Sequence, residues 1–127
     1  MSAFGSDKHL PQTAPIEAYG NGGFRFAGMS HRGSLLCLPD GIWAWSVAAV
    51  DDVTEQALAP VFARVDATDI FLLGCGRDLV PMPAGLREKF RALGISADPM
   101  ATGAAVRTWN ILLAEGRRVA AGLIAVD

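Results

Sequence analysis

The stretch Ile70 to Pro83, "IFLLGCGRDLVPMP", sets a cysteine between two glycines where an apolar run stops and charge begins. Three chemistries fit that pattern. Glycine lets backbone N–H groups come close to an anion, which makes Gly74 and Gly76 candidates for a ligand-cradling loop. A thiol on a loop is a candidate nucleophile when a base or a helix N-terminus converts it to thiolate, and Cys75 would be that thiol. The plain reading is a turn that ends a strand. The spacing matches neither G-x-G-x-x-G nor the P-loop with its Gly-Lys-Ser/Thr, and Asp78 would repel phosphate. The two histidines, His9 and His31, are not brought to Cys75 by anything in the sequence, so no catalytic residue is assigned. The residues favour a structural turn first, a binding surface second and a catalytic cysteine last.

A second polar group lies in "MATGAAVRTWN", Met100 to Asn110. Thr102 can cap a helix there, and Arg107 and Asn110, three residues apart, share its outward face. If that helix starts beside the Gly-Cys-Gly loop, Arg107 would bind a carboxylate or a partner's acidic side chain; otherwise it belongs to an ordinary solvated face. With Arg77, the candidate ligand- or partner-binding set is Gly74, Cys75, Gly76, Arg77, Thr102, Arg107 and Asn110. Trp43 and Trp45 share one strand face, which serves either core packing or an aromatic patch for a partner or membrane surface. Cys37, inside "LLCL", reads as core. Two histidines and two cysteines show no ligand spacing, and Asp51-Asp52 reads as helix capping, so neither a metal nor a cofactor is expected.

These residues need elements to hold them. Ile16 to Tyr19 predicts a strand, followed by the Asn-Gly turn signal of "YGNGG". In "GFRFAG" alternation puts Phe24 and Phe26 on one face and Arg25 on the other. His31 falls in "GMSHRGS", read as a hairpin turn. Ser34 to Leu38 and Ile42 to Trp45 predict two strands joined by Pro39-Asp40-Gly41. Asp52 and Glu55 resemble a capping box opening a helix to about Val65, with Leu58, Val61, Phe62 and Val65 on one face and a kink at Pro60. Asp69 to Leu73 is a buried strand by its continuous apolar character. "PAGLREKFRALG" predicts an amphipathic helix with Leu86, Phe90 and Leu93 as its stripe and Gly94 just beyond its end. Ile95 to Asp98 is extended, and a third helix runs from Thr102 to Glu115. Its inner face is Ala105, Val106, Trp109, Leu112 and Leu113. "RRVAAGLIAV" closes the chain as a strand apolar on both faces, which places it at the centre of the sheet. Strands followed by alternating helix and strand predict an α/β sandwich with an antiparallel β extension.

Composition bounds the rest. The chain has 127 residues, 51% of them hydrophobic and 19% charged, which fits one domain with an extensive core. A net charge of −2 argues against a nucleic-acid partner, which needs a basic face to release counterions, and the Arg117-Arg118 pair does not reverse this. Two cysteines provide no disulfide framework and fit a reducing, cytoplasmic setting. The longest uncharged segment, Gly41 to Val50, is ten residues, against the roughly 18–20 apolar residues of a membrane span. Residues 1–15 read as a loose or peripherally docked arm without secretory or mitochondrial signal character, and 16–127 as a single α/β domain.

Taken together, "YGNGGFRF", "HRGSLL", "LLGCGRDLVPMPAGLREKF" and "GISADPMATGAAVRTWNILLAEGRRVAAGLI" resemble the family of the mitochondrial respiratory complex I assembly factor three, which has small bacterial and archaeal members. The resemblance covers Ile16 to Val126. Its most specific parts are Arg107 to Asn110 and the Gly-x-Gly-x-x-x-x-Pro segment from Gly74 to Pro81. It implies a three-layer α/β domain with a mixed central sheet, helices packed on it and an antiparallel β-hairpin extension. It implies no enzyme activity and no cofactor. By the same analogy the chain is a non-enzymatic binding protein whose protein partners are NADH dehydrogenase subunits. Its setting would be a bacterial cytoplasm, at most peripheral to the inner membrane. Cys75 stands where relatives often carry Thr and Trp109 where Tyr is common, so neither the thiol nor a phenol is required at those places. The alternative function is a small-molecule or anion-binding protein, enzymatic in one version, using a cleft between the Gly74–Gly76 loop and the Thr102–Glu115 helix.

Overall fold

A computed structural model describes residues 8–10 and 12–127, the first three as backbone only. The expectation of a loose arm over 1–15, and with it the His9 side chain, falls largely outside the described residues. Within the arm, Lys8–Leu10 forms a strand (β1). The next strands are β2 (Ile16–Gly20), β3 (Gly23–Phe26), β4 (Met29–Arg32), β5 (Ser34–Leu38) and β6 (Gly41–Trp45). After these come α1 (Ala59–Phe62), β7 (Ile70–Gly74), α2 (Ala84–Ala92), β8 (Ser96–Met100), α3 (Thr102–Ala114) and β9 (Val119–Leu123).

A six-stranded sheet in the order β1-β6-β5-β9-β7-β8 forms the middle layer. β7 runs parallel to β8 and β9, while β5 is antiparallel to β9 and β6, so the sheet is mixed. The last strand lies near its centre, as its two apolar faces require. Alternation along the strands divides the core in two. Leu36, Leu38, Trp43, Trp45, Phe71 and Leu73 face Val61, Leu86 and Phe90 of α1 and α2. Leu35, Cys37, Ile42, Leu72 and Leu123 face Ala105, Val106 and Trp109 of α3, together with Ile16, Phe24 and Phe26. The second group includes the small antiparallel sheet β2-β3-β4, which shares that layer with α3. The result is the three-layer α/β architecture with a β extension. Arg118 clamps the start of the central strands through both carboxylate oxygens of Asp69, at 3.0 and 2.7 Å. Its hydrogen bonds hold that carboxyl below its ordinary pKa.

Three local features differ from the sequence expectation. The helix expected from Asp52 to Val65 is broken into a 3-10 turn (Val50–Asp52), α1 and a second 3-10 turn (Val65–Ala67). Pro60 has no N–H to give, so it sits in the first turn of a short helix, where that N–H would have no intrahelical partner. The Asp52 carboxylate turns back to accept from the N–H groups of Ala48 and Ala49, and Glu55 pairs with Lys89 of α2 instead of closing a capping box. Leu93 is 36% exposed because α2 ends at Ala92, leaving Leu86 and Phe90 as the stripe. His31 is a strand residue, paired with Phe24, and the turn is Ala27-Gly28. Trp43 and Trp45 are 4% and 7% exposed and belong to the core, so they offer no aromatic patch.

Both hairpin turns of the small sheet place their two central residues at positive φ: Asn21 and Gly22 in the first, Ala27 and Gly28 in the second. Asn and Gly accept that geometry; a Cβ on Ala27 does not accept it readily. Ala27 is exposed and its φ is 49°, so Ala27→Asn is expected to raise unfolding free energy by about 0.5–1 kcal/mol. The midpoint of urea unfolding measures it, and an unchanged or lower midpoint would contradict the assignment of strain there.

Candidate functional site

β7 delivers its carboxyl end to the Gly-Cys-Gly loop, and the loop is bonded to its surroundings almost atom by atom. The Cys75 N–H donates to Met100 O at 2.8 Å, and the Gly76 N–H donates to Thr102 Oγ1 at 2.9 Å. The Thr102 N–H donates to Gly76 O at 2.8 Å, while its hydroxyl donates to Ile124 O at 2.7 Å. The Ile124 N–H returns to Gly74 O at 3.0 Å. Thr102 therefore ties together the chain segments at the carboxyl ends of β7, β8 and β9. The N-cap of α3 is Ala101, and Thr102, fully buried in the first helical position, is a cross-strand bridge where the sequence suggested a cap.

The glycines have a structural reason. A Cβ on Gly74 would lie 3.1 Å from both Cα and Oγ1 of Thr102, and Gly76 holds φ 109°. Since the amides of Cys75 and Gly76 are already hydrogen-bonded inside the chain, they do not form an anion cradle. The loop also meets the start of α3 directly through the Gly76–Thr102 bonds. The open space beside it lies on the other side.

That space is a cleft of about 430 Å³, lined by residues 48–51, 75–77 and 124–127 together with Val80. Because β6 is antiparallel to β5 and β5 to β9, the strands β6, β9, β7 and β8 all point the same way. The cleft lies beyond the carboxyl ends of β6, β9 and β7, where open α/β sheets bind their ligands. Its lining is mixed: Val50, Val80 and Ile124 beside Asp51, Arg77 and Asp127. Nothing near Cys75 in the sequence announced residues 48–51 or 124–127 as its neighbours; the one hint was the small-residue run "SVAAV" directly after a strand.

Cys75 is 8% exposed, and its Sγ lies 3.3 Å from Val80 O and 3.5 Å from Leu73 O, so the thiol donates to a carbonyl. His31 Nε2 is 3.1 Å from Ser34 O, a contact between β4 of the small sheet and the start of β5. Cys37 is wholly buried, and burial pushes its thiol pKa far up, which suits an inert core residue. Among the described residues no group of His, Cys, Asp and Glu is arranged to hold a metal ion.

The seven candidate residues separate into two sets. Gly74, Cys75, Gly76 and Thr102 are in contact, and Arg77 extends from them, exposed, into the cleft wall. Arg107 and Asn110 lie about 7.5 and 12 Å further along α3. Arg107 is exposed. Asn110 accepts from the Ile16 N–H at 2.8 Å and donates to Ile16 O at 2.9 Å, while Trp109 Nε1 donates to Ala14 O. The Trp-Asn pair thus fastens β2 and the residues before it to α3.

A family profile described as a protein of unknown function (DUF498/DUF598) matches residues 16–124. An uncharacterized protein of Rhodobacter capsulatus is 43% identical over 110 residues, covering 87% of this chain and 83% of that protein. The mouse NADH dehydrogenase [ubiquinone] 1 alpha subcomplex assembly factor 3 is 28% identical over 91% of this chain, which spans only 62% of that protein's length. Among solved structures, the crystal structure of an outer membrane protein from Bartonella henselae superposes with a TM-score of 0.90 at 49% identity. That match covers 94% of this chain and all of that one.

Proposed function

The chain belongs to the DUF498/DUF598 family, and we propose from that membership that it is a binding protein which assists assembly of respiratory complex I. The observation that carries this reading is the similarity to complex I assembly factors across 91% of the chain. The contact surface is the cleft wall. Leu79 and Val80 are 59% and 39% exposed beside Arg77, and Pro81, Pro83 and the buried Met82 hold their loop. An apolar centre with a charged rim on a preordered loop is the kind of surface that binds protein at low ordering cost. In this reading Arg77 touches the partner at the cleft wall, and Arg107, exposed on α3, adds a contact outside it. Gly74, Cys75, Gly76, Thr102 and Asn110 give the surface its shape. No helix among the described residues is long and apolar enough to cross a membrane, and the proposed setting is the cytoplasmic side of the inner membrane, where NADH dehydrogenase subunits are joined.

The test is affinity capture of the tagged chain from its own cells in mild detergent, read by mass spectrometry, with Arg77→Glu in parallel. NADH dehydrogenase subunits are expected with the natural chain and at least fivefold less with the variant. Loss of the gene with unchanged complex I assembly and NADH dehydrogenase activity would overturn the reading. A second reading, a small molecule or anion held in the cleft, is favoured by the cleft's place at the carboxyl ends of β6, β9 and β7. Stabilisation by a metabolite or anion that Arg77→Glu abolishes would establish it instead.

A further inference from the structure

A sheet edge is either sealed or available, and the edges of this fold differ in that respect. An open edge presents unpaired N–H and C=O groups that template a further strand. β8, one edge of the main sheet, carries Asp98 and Pro99, and a proline has no N–H to offer a neighbour. β2, an edge of the small sheet, is covered by α3. Asn110 takes both backbone groups of Ile16, and the Tyr19 side chain lies against Gly103. Among the described residues β4, the opposite edge, has neither device. Its residues Met29, Ser30 and Arg32 are exposed.

The register says which groups of β4 face outward. The two-residue turn makes Phe26 and Met29 a hydrogen-bonded pair, so the alternating ladder makes Phe24 and His31 the next one. Ser30 and Arg32, opposite Arg25 and Gly23, then direct their N–H and C=O groups away from β3. The outer face of the sheet beside this edge is a groove of about 430 Å³, lined by Ala18, Tyr19, Gly20, Arg25, Ser30 and Arg32 among others. Arg25 lies on that face, its Nη1 donating to Ser30 Oγ at 3.3 Å, with the Glu17 carboxylate 3.9 Å from its Nε. Arg32 has no carboxylate within ion-pair distance among the described residues. The groove thus carries two guanidinium groups against one carboxylate, over a floor of small residues that leaves room for incoming side chains.

We propose that the β4 edge is a docking site for an extended acidic segment of a protein partner, which adds as a fourth strand of the small sheet. The backbone of the segment pairs with Ser30 and Arg32, and acidic side chains at alternate positions lie over the groove beside Arg25 and Arg32. Charge selects the occupant, because a second copy of this edge would bring like guanidinium groups together whereas carboxylates form charge-assisted bonds with them. This surface is separate from the cleft and stands whether or not the chain serves complex I.

The experiment titrates the full-length, 15N-labelled chain with a capped eight-residue peptide in which Glu alternates with Val and Thr, and with its Lys counterpart. The Glu peptide is expected to shift the Ser30 and Arg32 amides and to slow their hydrogen exchange at least tenfold at saturation. Its affinity should fall as salt is raised. The double variant R25E/R32E is expected to lose the Glu peptide at least tenfold and to gain the Lys peptide, a reversal that misfolding does not produce. Unchanged Ser30 and Arg32 amides, equal binding of both peptides, or a double variant that binds neither would overturn the proposal.

Discussion

Thr102→Val is expected to lower the unfolding free energy by roughly 3 kcal/mol, although the two side chains have nearly the same shape. The hydroxyl accepts from the Gly76 N–H at 2.9 Å and donates to Ile124 O at 2.7 Å in a fully buried position. Valine leaves a donor and an acceptor without partners at the meeting point of three chain segments, and each orphaned group costs about 1–3 kcal/mol. Thr102→Ser keeps the hydroxyl and removes only a methyl, so it should cost about 1 kcal/mol. The pair of variants separates hydrogen bonding from volume, and urea unfolding at constant m reads both. If valine proves as stable as the natural residue, the bridging role of Thr102 is wrong. The loop beside the cleft would also loosen in the valine variant, because Gly76 would keep only its carbonyl bond to the Thr102 backbone.

The second large effect belongs to Gly122, in the centre of the sheet. It pairs with Leu36 on one side and Leu73 on the other, so the backbone of β9 has no room to move. A Cβ there would lie 2.6 and 2.7 Å from carbon atoms of the Trp45 ring. That ring is nearly buried, and its Nε1 donates to Ala57 O at 3.0 Å, so it does not swing aside without losing a bond. Gly122→Ala is therefore expected to cost roughly 2–3 kcal/mol through overpacking. Trp45→Phe in the Gly122→Ala background should recover part of that loss, with a coupling of about 1–2 kcal/mol between the sites. Unfolding of the two single variants and the double variant measures the cycle. Strictly additive losses would show that the ring and the glycine are independent.

Both cases bear on what the glycines of this chain are for. Gly74, Gly76 and Gly122 sit where a side chain would strike a neighbour or where the backbone turns left-handed. The placing of Gly74 and Gly76 on either side of Cys75 invites a ligand-loop reading from sequence. In the fold the same residues let β7, β9 and α3 approach one another. Cys75, between two of them, is held with its thiol on a carbonyl.

The parts of the fold legible in the sequence are those set by neighbours a few residues apart. Alternation in "GFRF", the apolar run of "SLLCL" ended by a turn, the Asn-Gly turn, the stripe of Leu86 and Phe90, and the doubly apolar final strand each come from local geometry. Together they predict an α/β sandwich with an antiparallel β extension, while the mixed central sheet was implied by the family resemblance. The broken segment at Pro60 was half visible, because proline marks a boundary but not which side stays helical. The strand status of Met29 to Arg32 was hidden, since its exposed residues carry no alternating apolar signal and only pairing with β3 makes it a strand.

The site depended on the tertiary structure. Asn110 meets Ile16 across 94 positions and Thr102 meets Ile124 across 22. Sequence could name these residues as polar and well placed on a helix, but not the backbone groups that answer them. It could place a loop at the end of β7 but not the side on which space would remain. That side is decided by how β6, β9 and α3 fill the volume around it, and packing of distant segments leaves no periodic mark on the chain.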